Sequence, residues 1–234
     1  MCTSMRCRKW SRRNWMGELA AAGGIAALRS ASPTRASGAQ LDPVTLDPRA
    51  ALDFLYSGNR RFVAGETLAP NRDMARLREV APRQTPFAAF LGCADSRVPI
   101  EIVFDQGFGD LFVTRIAGNV AATENIASLE FATQVLGAKV LYVLGHTSCG
   151  AVTAAAKAEP VPGQISALFQ HIRPAVRTAK GDVAAAVREN VRLQAQTLVE
   201  ASPVIAALVK DGKVLVAGGV FDLESGRVDP VGFD

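Results

Sequence analysis

Lys139-Val140-Leu141-Tyr142-Val143-Leu144-Gly145, followed at once by His146-Thr147-Ser148-Cys149-Gly150, decides the reading of this chain. A strand with one wet face alternates apolar and polar residues; this run is apolar throughout, as in a strand covered on both faces. Phe87-Ala88-Ala89-Phe90-Leu91-Gly92 has the same character and runs into Cys93-Ala94-Asp95-Ser96-Arg97. Asp110 to Ala117, with Leu111-Phe112-Val113-Thr114-Arg115-Ile116, and Val214 to Val220 are two further strand candidates. Glu224-Ser225-Gly226-Arg227 carries a hairpin turn signal.

Helical stretches separate these runs. Asp47 can cap a helix whose first residue is Pro48. Ala51, Leu52, Leu55 and Phe62 give that helix its apolar face, with Gly58-Asn59 marking a break. Residues 70–85 read as a short helix or loop, and 121–137 as a helix closed by Gly137. Alanine-rich helices are expected over 150–158, 164–180 and 183–210, interrupted at Pro174 and Pro203. Apolar strands alternating with helices predict an α/β fold, with a central, mainly parallel sheet of about four to five strands flanked by helices.

In a parallel sheet, ligands gather beyond the carboxyl ends of the strands. Cys93 follows one strand and His146 another, so neighbouring strands would bring both to one rim. Cys149, three residues past His146, starts the next helix, whose N-terminus favours a thiolate. Two thiols and one imidazole match the donor set of a four-coordinate Zn²⁺ site. The fourth position falls to Asp95 or to solvent. Arg97, two residues on, has a planar fork suited to pulling that carboxylate off the metal. Such a site opens and activates water. Taken singly, each residue has a plainer reading: a small buried cysteine, a hydrogen-bonded core histidine, a surface ion pair. The two thiols, 56 residues apart, are also a disulfide candidate in an oxidising compartment. His171, the other histidine, lies in a helical stretch and reads as non-catalytic.

The net charge of +4 comes from the leader. Residues 1–39 hold seven of the 26 basic residues and one of the 22 acidic ones, leaving 19 basic against 21 acidic in the remainder. A body of that balance gives no reason to expect nucleic-acid binding. Ser11-Arg12-Arg13-Asn14-Trp15-Met16 resembles a twin-arginine export signal, followed by a mildly apolar run from Leu19 to Leu28 and by small residues at Ser37-Gly38-Ala39. That run is far shorter than the roughly 20 residues of a membrane span. The expected organisation is a leader over 1–39 and one domain over 40–234. Export to the periplasm follows, or a cytoplasmic location if the leader does not function.

Cys93-Ala94-Asp95-Ser96-Arg97-Val98-Pro99 and Gly145-His146-Thr147-Ser148-Cys149-Gly150 resemble the two signature motifs of the β-class carbonic anhydrases. The similarity extends through Phe104-Asp105-Gln106-Gly107, Asp110-Leu111-Phe112-Val113, Arg115, Ala117-Gly118-Asn119 and Phe221-Asp222. It implies a zinc lyase that hydrates CO₂ reversibly to bicarbonate and a proton, through a zinc-bound hydroxide. It further implies one Zn²⁺ per subunit, held by Cys93, His146 and Cys149, with Asp95 and Arg97 as the catalytic dyad. Gln84, Phe112 and Phe131 fall at substrate-binding positions, Phe131 in place of a tyrosine. A homodimer or dimer-built oligomer is implied, with CO₂ and bicarbonate as its small-molecule partners. Some members are switched off at a bicarbonate site made of a tryptophan, an arginine and a tyrosine. Here Phe90 and Phe221 stand at the aromatic positions and only Arg115 matches, so that switch is not expected. Two other readings of the same residues are a related zinc hydrolase acting on COS or CS₂, and a non-catalytic, bicarbonate-sensing zinc protein.

Overall fold

The computed structural model describes residues 47–233. The leader over 1–39 lies outside them. Among the described residues five strands form one sheet: β1 (Ala88–Gly92), β2 (Leu111–Arg115), β3 (Val140–His146), β4 (Leu215–Phe221) and β5 (Val228–Pro230). Their order is β2-β1-β3-β4-β5. The first four run parallel, and β5 returns antiparallel to β4 through the turn signalled at 224–227.

β1 and β3 are buried at every position, which is why their sequences do not alternate. The pleat still sorts their side chains by face. Ala89, Leu91, Leu141 and Val143 point into one core, beneath the helices α4 (Thr123–Glu130), α5 (Gly150–Lys157), α6 (Phe169–Thr178) and α7 (Val183–Ala201). Ala88, Phe90, Val140, Tyr142 and Leu144 point into the other, beneath α1 (Pro48–Ala64) and α3 (Ile100–Val103). There the rings of Phe90, Phe104 and Tyr142 lie 5.1 to 5.6 Å apart, centroid to centroid. The helix α7 sits close on the sheet because β3 and β4 offer glycine beneath it. A Cβ on Gly145 or Gly218 would stand 2.7 Å from a methyl of Val191.

The helix expectations hold with three corrections. No break occurs at Gly58-Asn59; α1 runs on to Ala64 and is closed by Gly65. Gly58 is there for a different reason: a Cβ would lie 1.9 Å from the Phe104 carbonyl oxygen. Pro174 does not interrupt α6, whose Phe169, Ile172 and Ala175 are anchored in the core on either side of it. Residues 121–137 are not one α-helix. After α4 a π-helical turn covers Phe131–Val135, where the Leu136 N–H donates to the Phe131 carbonyl. Pro203, by contrast, does divide the long helical stretch. α7 ends at Ala201, and α8 (Pro203–Lys210) starts afresh with the Ser202 hydroxyl accepting from the Ile205 N–H. A short helix α2 (Met74–Val80) lies within 70–85. Among the described residues, no helix is long and apolar enough to cross a membrane.

Candidate metal centre

β1 and β3 are neighbours, so their carboxyl ends deliver Cys93 and His146 to the same rim. Cys149 occupies the N-cap position of α5. The ligand atoms of Cys93, His146 and Cys149 all lie within 4.8 Å of one another, and all three residues are buried. Neither cysteine of the cluster is in a disulfide.

The loop between the ligands is fixed by the sheet. The Thr147 N–H donates to the Phe221 carbonyl at the end of β4, and the Thr147 hydroxyl accepts from the Leu223 N–H. Ser148 turns the chain with a positive φ of 55°. His146 Nδ1 lies 2.9 Å from the Thr147 carbonyl oxygen, to which it donates. Nε2 therefore carries the lone pair of the neutral ring. That Nε2 is a buried polar atom without a hydrogen-bond partner. A buried acceptor left unpaired costs about 1–3 kcal/mol. A metal ion shared with the two sulfurs would satisfy it, and the donor set suits zinc.

Proton sharing among the three donors points the same way. The hydrogen bond between the sulfurs lowers the Cys93 pKa to about 4, and the same contact raises that of Cys149. Burial opposes charge on His146, but its contacts with the Cys93 thiolate outweigh this, and its pKa is raised. The three donors share their protons, and a cation placed among them would displace those that remain.

Asp95 is not part of this three-ligand cluster. Its carboxylate is turned onto Arg97. Oδ1 accepts from Nε at 2.9 Å and from the Arg97 main-chain N–H at 2.9 Å, while Oδ2 accepts from Nη2 at 2.7 Å. These bonds hold the carboxyl well below the usual carboxylate range. Oδ2 nonetheless stays 3.7 Å from His146 Nε2, at the edge of the cluster. The guanidinium also reaches the Ser148 carbonyl at 3.5 Å, so the Asp95–Arg97 pair is tied to the loop between His146 and Cys149.

The remaining expected residues are placed less closely. Phe112, half-buried on β2, and Phe131, at the start of the π turn and 46% exposed, face each other with centroids 6.4 Å apart. Phe112 packs against the core that contains Cys93 and Cys149. Gln84 is exposed and enters β1 from its amino end, whereas Cys93 leaves at the carboxyl end. His171 is solvent-facing in part and contacts Gln170. Arg115 has a role that motif matching does not indicate. Its Nε donates to the Cys93 carbonyl at 3.0 Å and its Nη2 to the Asp95 carbonyl at 2.5 Å, clamping the main chain that carries ligand and dyad. Phe90 and Phe221 are buried core side chains. The sequence signal for Arg115 was its place at the end of β2, in register with Gly92 just before the ligand.

A doubly covered, mainly parallel sheet with a Cys₂His cluster at its carboxyl rim, beside an arginine-held carboxylate, has the three-donor set of catalytic zinc enzymes rather than the four protein ligands of a structural zinc site. The family model described as carbonic anhydrase matches residues 88–228. Carbonic anhydrase 2 of Mycobacterium tuberculosis is 37% identical over 189 residues, covering 77% of this chain and 91% of that protein. The carbonic anhydrase of Pseudomonas aeruginosa is 33% identical over 174 residues, covering 65% of this chain and 76% of the relative. The β-carbonic anhydrase of Coccomyxa, solved in complex with acetazolamide, superposes with a TM-score of 0.61 at 26% identity, covering 83% of this chain and 87% of that one. The chain belongs to the carbonic anhydrase family, in its β class, whose members are zinc lyases.

Proposed function

We propose that this chain hydrates CO₂ reversibly to bicarbonate and a proton, in an exported, dimeric or dimer-built form holding one Zn²⁺ per subunit. One observation carries the catalytic reading. The Asp95 carboxylate is held off the ligand cluster by Arg97, yet its Oδ2 lies 3.7 Å from the ligand nitrogen of His146. A purely structural zinc site needs four protein ligands and no such dyad.

When bound, zinc in such a site supplies an acidified water as nucleophile. Asp95, held ionised by Arg97 with its Oδ2 3.7 Å from His146 Nε2, would accept a hydrogen bond from that water and orient it. Arg97 occupies both carboxylate oxygens, which keeps Asp95 turned away from the three donors. Phe112 and Phe131 supply an apolar wall suited to a non-polar substrate, and Gln84 is assigned a substrate contact by the family pattern alone. Stopped-flow CO₂ hydration by the zinc-loaded protein tests this, with COS hydrolysis as the second arm. Zinc-loaded protein that hydrolyses COS and leaves CO₂ untouched would replace the substrate assignment.

Export is supported by Arg12-Arg13, the apolar run after them and the concentration of basic residues before residue 40. A mature N-terminus near Gln40, read by mass spectrometry, checks it; recovery of full-length cytoplasmic protein alone refutes it. Assembly is supported by the exposed apolar side chains Leu68, Met74, Leu77 and Phe108. Sedimentation of the zinc-loaded protein as a monomer at micromolar concentration would remove it.

A further inference from the structure

We propose that Asn190 and Gln194 of α7 are positioning residues for the metal centre: they hold the 117–121 loop so that the Gly118 N–H donates to the Cys93 sulfur. This rests on the zinc reading above and extends it beyond the ligands and the dyad.

The Gly118 N–H lies 3.3 Å from Cys93 Sγ. The carbonyl of the same residue accepts from Asn190 Nδ2 at 2.8 Å. Gln194 completes the arrangement. Its Nε2 donates to Asn190 Oδ1 at 3.0 Å and to the His171 carbonyl at 3.0 Å, and its Oε1 accepts from the Ala121 N–H at 2.8 Å. One amide therefore grips the loop at Gly118 and the other at Ala121, and the two are bonded to each other.

Both side chains are buried, Asn190 completely. Their neighbours on α7, Val187, Val191 and Leu198, are apolar, and packing alone would be served by apolar residues at 190 and 194. A buried amide is costly unless its hydrogen bonds are met. Here they are met by the loop that reaches the sulfur. The loop is also confined from the far side. Gly118 has φ +76°, and a Cβ there would lie 2.7 Å from Ile172 Cδ1 and 3.2 Å from Ala151 Cβ. The two peptides flanking Gly118 are thus held in one orientation, one through its carbonyl and one through its N–H.

An N–H donor on a thiolate withdraws charge from the sulfur and weakens its donation to a bound metal. Outer hydrogen bonds of this kind tune affinity by about 10–100-fold. Asn190 and Gln194 act on the ligand through Gly118, at one remove from the reacting atoms.

The test uses the full-length protein loaded with ¹¹³Cd, Co²⁺ or Zn²⁺. In the ¹¹³Cd form, a through-bond coupling between the metal and the Gly118 amide proton is expected, relayed by Cys93 Sγ. Asn190→Leu and Gln194→Leu are expected to lose or reduce it. The same variants should shift the thiolate-to-Co²⁺ charge-transfer band to lower energy and change zinc affinity, measured against a chelator, by about 10-fold or more. Folded variants with wild-type band energy and zinc affinity overturn the proposal. If neither variant folds, the wild-type spectrum decides, and absence of coupling at Gly118 overturns it. Metal uptake without that coupling sinks only the positioning role, whereas failure to bind any of the three metals sinks the zinc reading as well.

Discussion

Stripping the metal should lower the melting temperature by an amount set by free zinc. The three candidate donors come from the end of β1, the end of β3 and the cap of α5. Their buried donor atoms converge only in the folded chain, so zinc binds the native state and stabilises it by RT ln(1 + [Zn]/Kd). Above Kd, each tenfold rise in free zinc adds about 1.4 kcal/mol. For a domain of this size, 1 kcal/mol moves the melting temperature by about 2–4 °C. The slope is therefore about 3–6 °C per decade of free zinc, reaching roughly 5–11 °C at 100 times Kd. Thermal unfolding followed by circular dichroism in zinc-buffered solutions measures it directly. Cys149→Ser should flatten the dependence. A melting temperature constant over a 100-fold span of free zinc, in protein that starts metal-free, would refute convergence of the three donors on one ion.

Arg97→Ala and Asp95→Asn should both retain zinc and lose about 100-fold or more in CO₂ hydration, since orientation of the nucleophile is lost while all three ligands remain; near-wild-type turnover by Arg97→Ala in stopped flow would remove the dyad from the mechanism. The Asp95 carboxyl is depressed by its bonds to Arg97, so what the pair contributes is fully present above the unfolded value of about 3.9 and is lost as pH falls through the lower folded value. Between pH 5 and 9, ¹³C NMR of Asp95 should thus show no titration, and in Arg97→Ala the carboxyl should titrate at higher pH than in the wild type. Gly58→Ala should destabilise by about 1–3 kcal/mol, read as a lower denaturant midpoint, because its Cβ would fall 1.9 Å from the Phe104 carbonyl oxygen and neither backbone can give way easily.

The convergence of the three donors was legible because parallel-sheet geometry converts a sequence position, the residue after an apolar run, into a place in space. Cys93 and His146 needed only adjacent strands, and Cys149 only the following helix start. The Asp95–Arg97 pair was legible because it is local, two residues apart. Asn190 and Gln194 were not, since two amides in an alanine-rich stretch read as part of a wet helix face, and only the packing of α7 against the 117–121 loop shows them buried. Gly58 misled for a related reason: a helix break and a close backbone approach call for the same residue. The π turn at Phe131–Val135 left no mark either, as its residues satisfy helical spacing and differ only in which carbonyl each N–H meets.

Thr147 joins the peptide unit between two ligands to the last residue of β4 and to the turn beyond it. Its carbonyl also accepts the hydrogen bond of the imidazole Nδ1–H. The β4–β5 hairpin therefore belongs to the mechanical frame of the metal. A deletion or insertion at 223–226, remote from any reacting atom, would rotate the histidine ring about its own anchor, and surface-loop engineering at that end of the sheet would register first as altered metal chemistry.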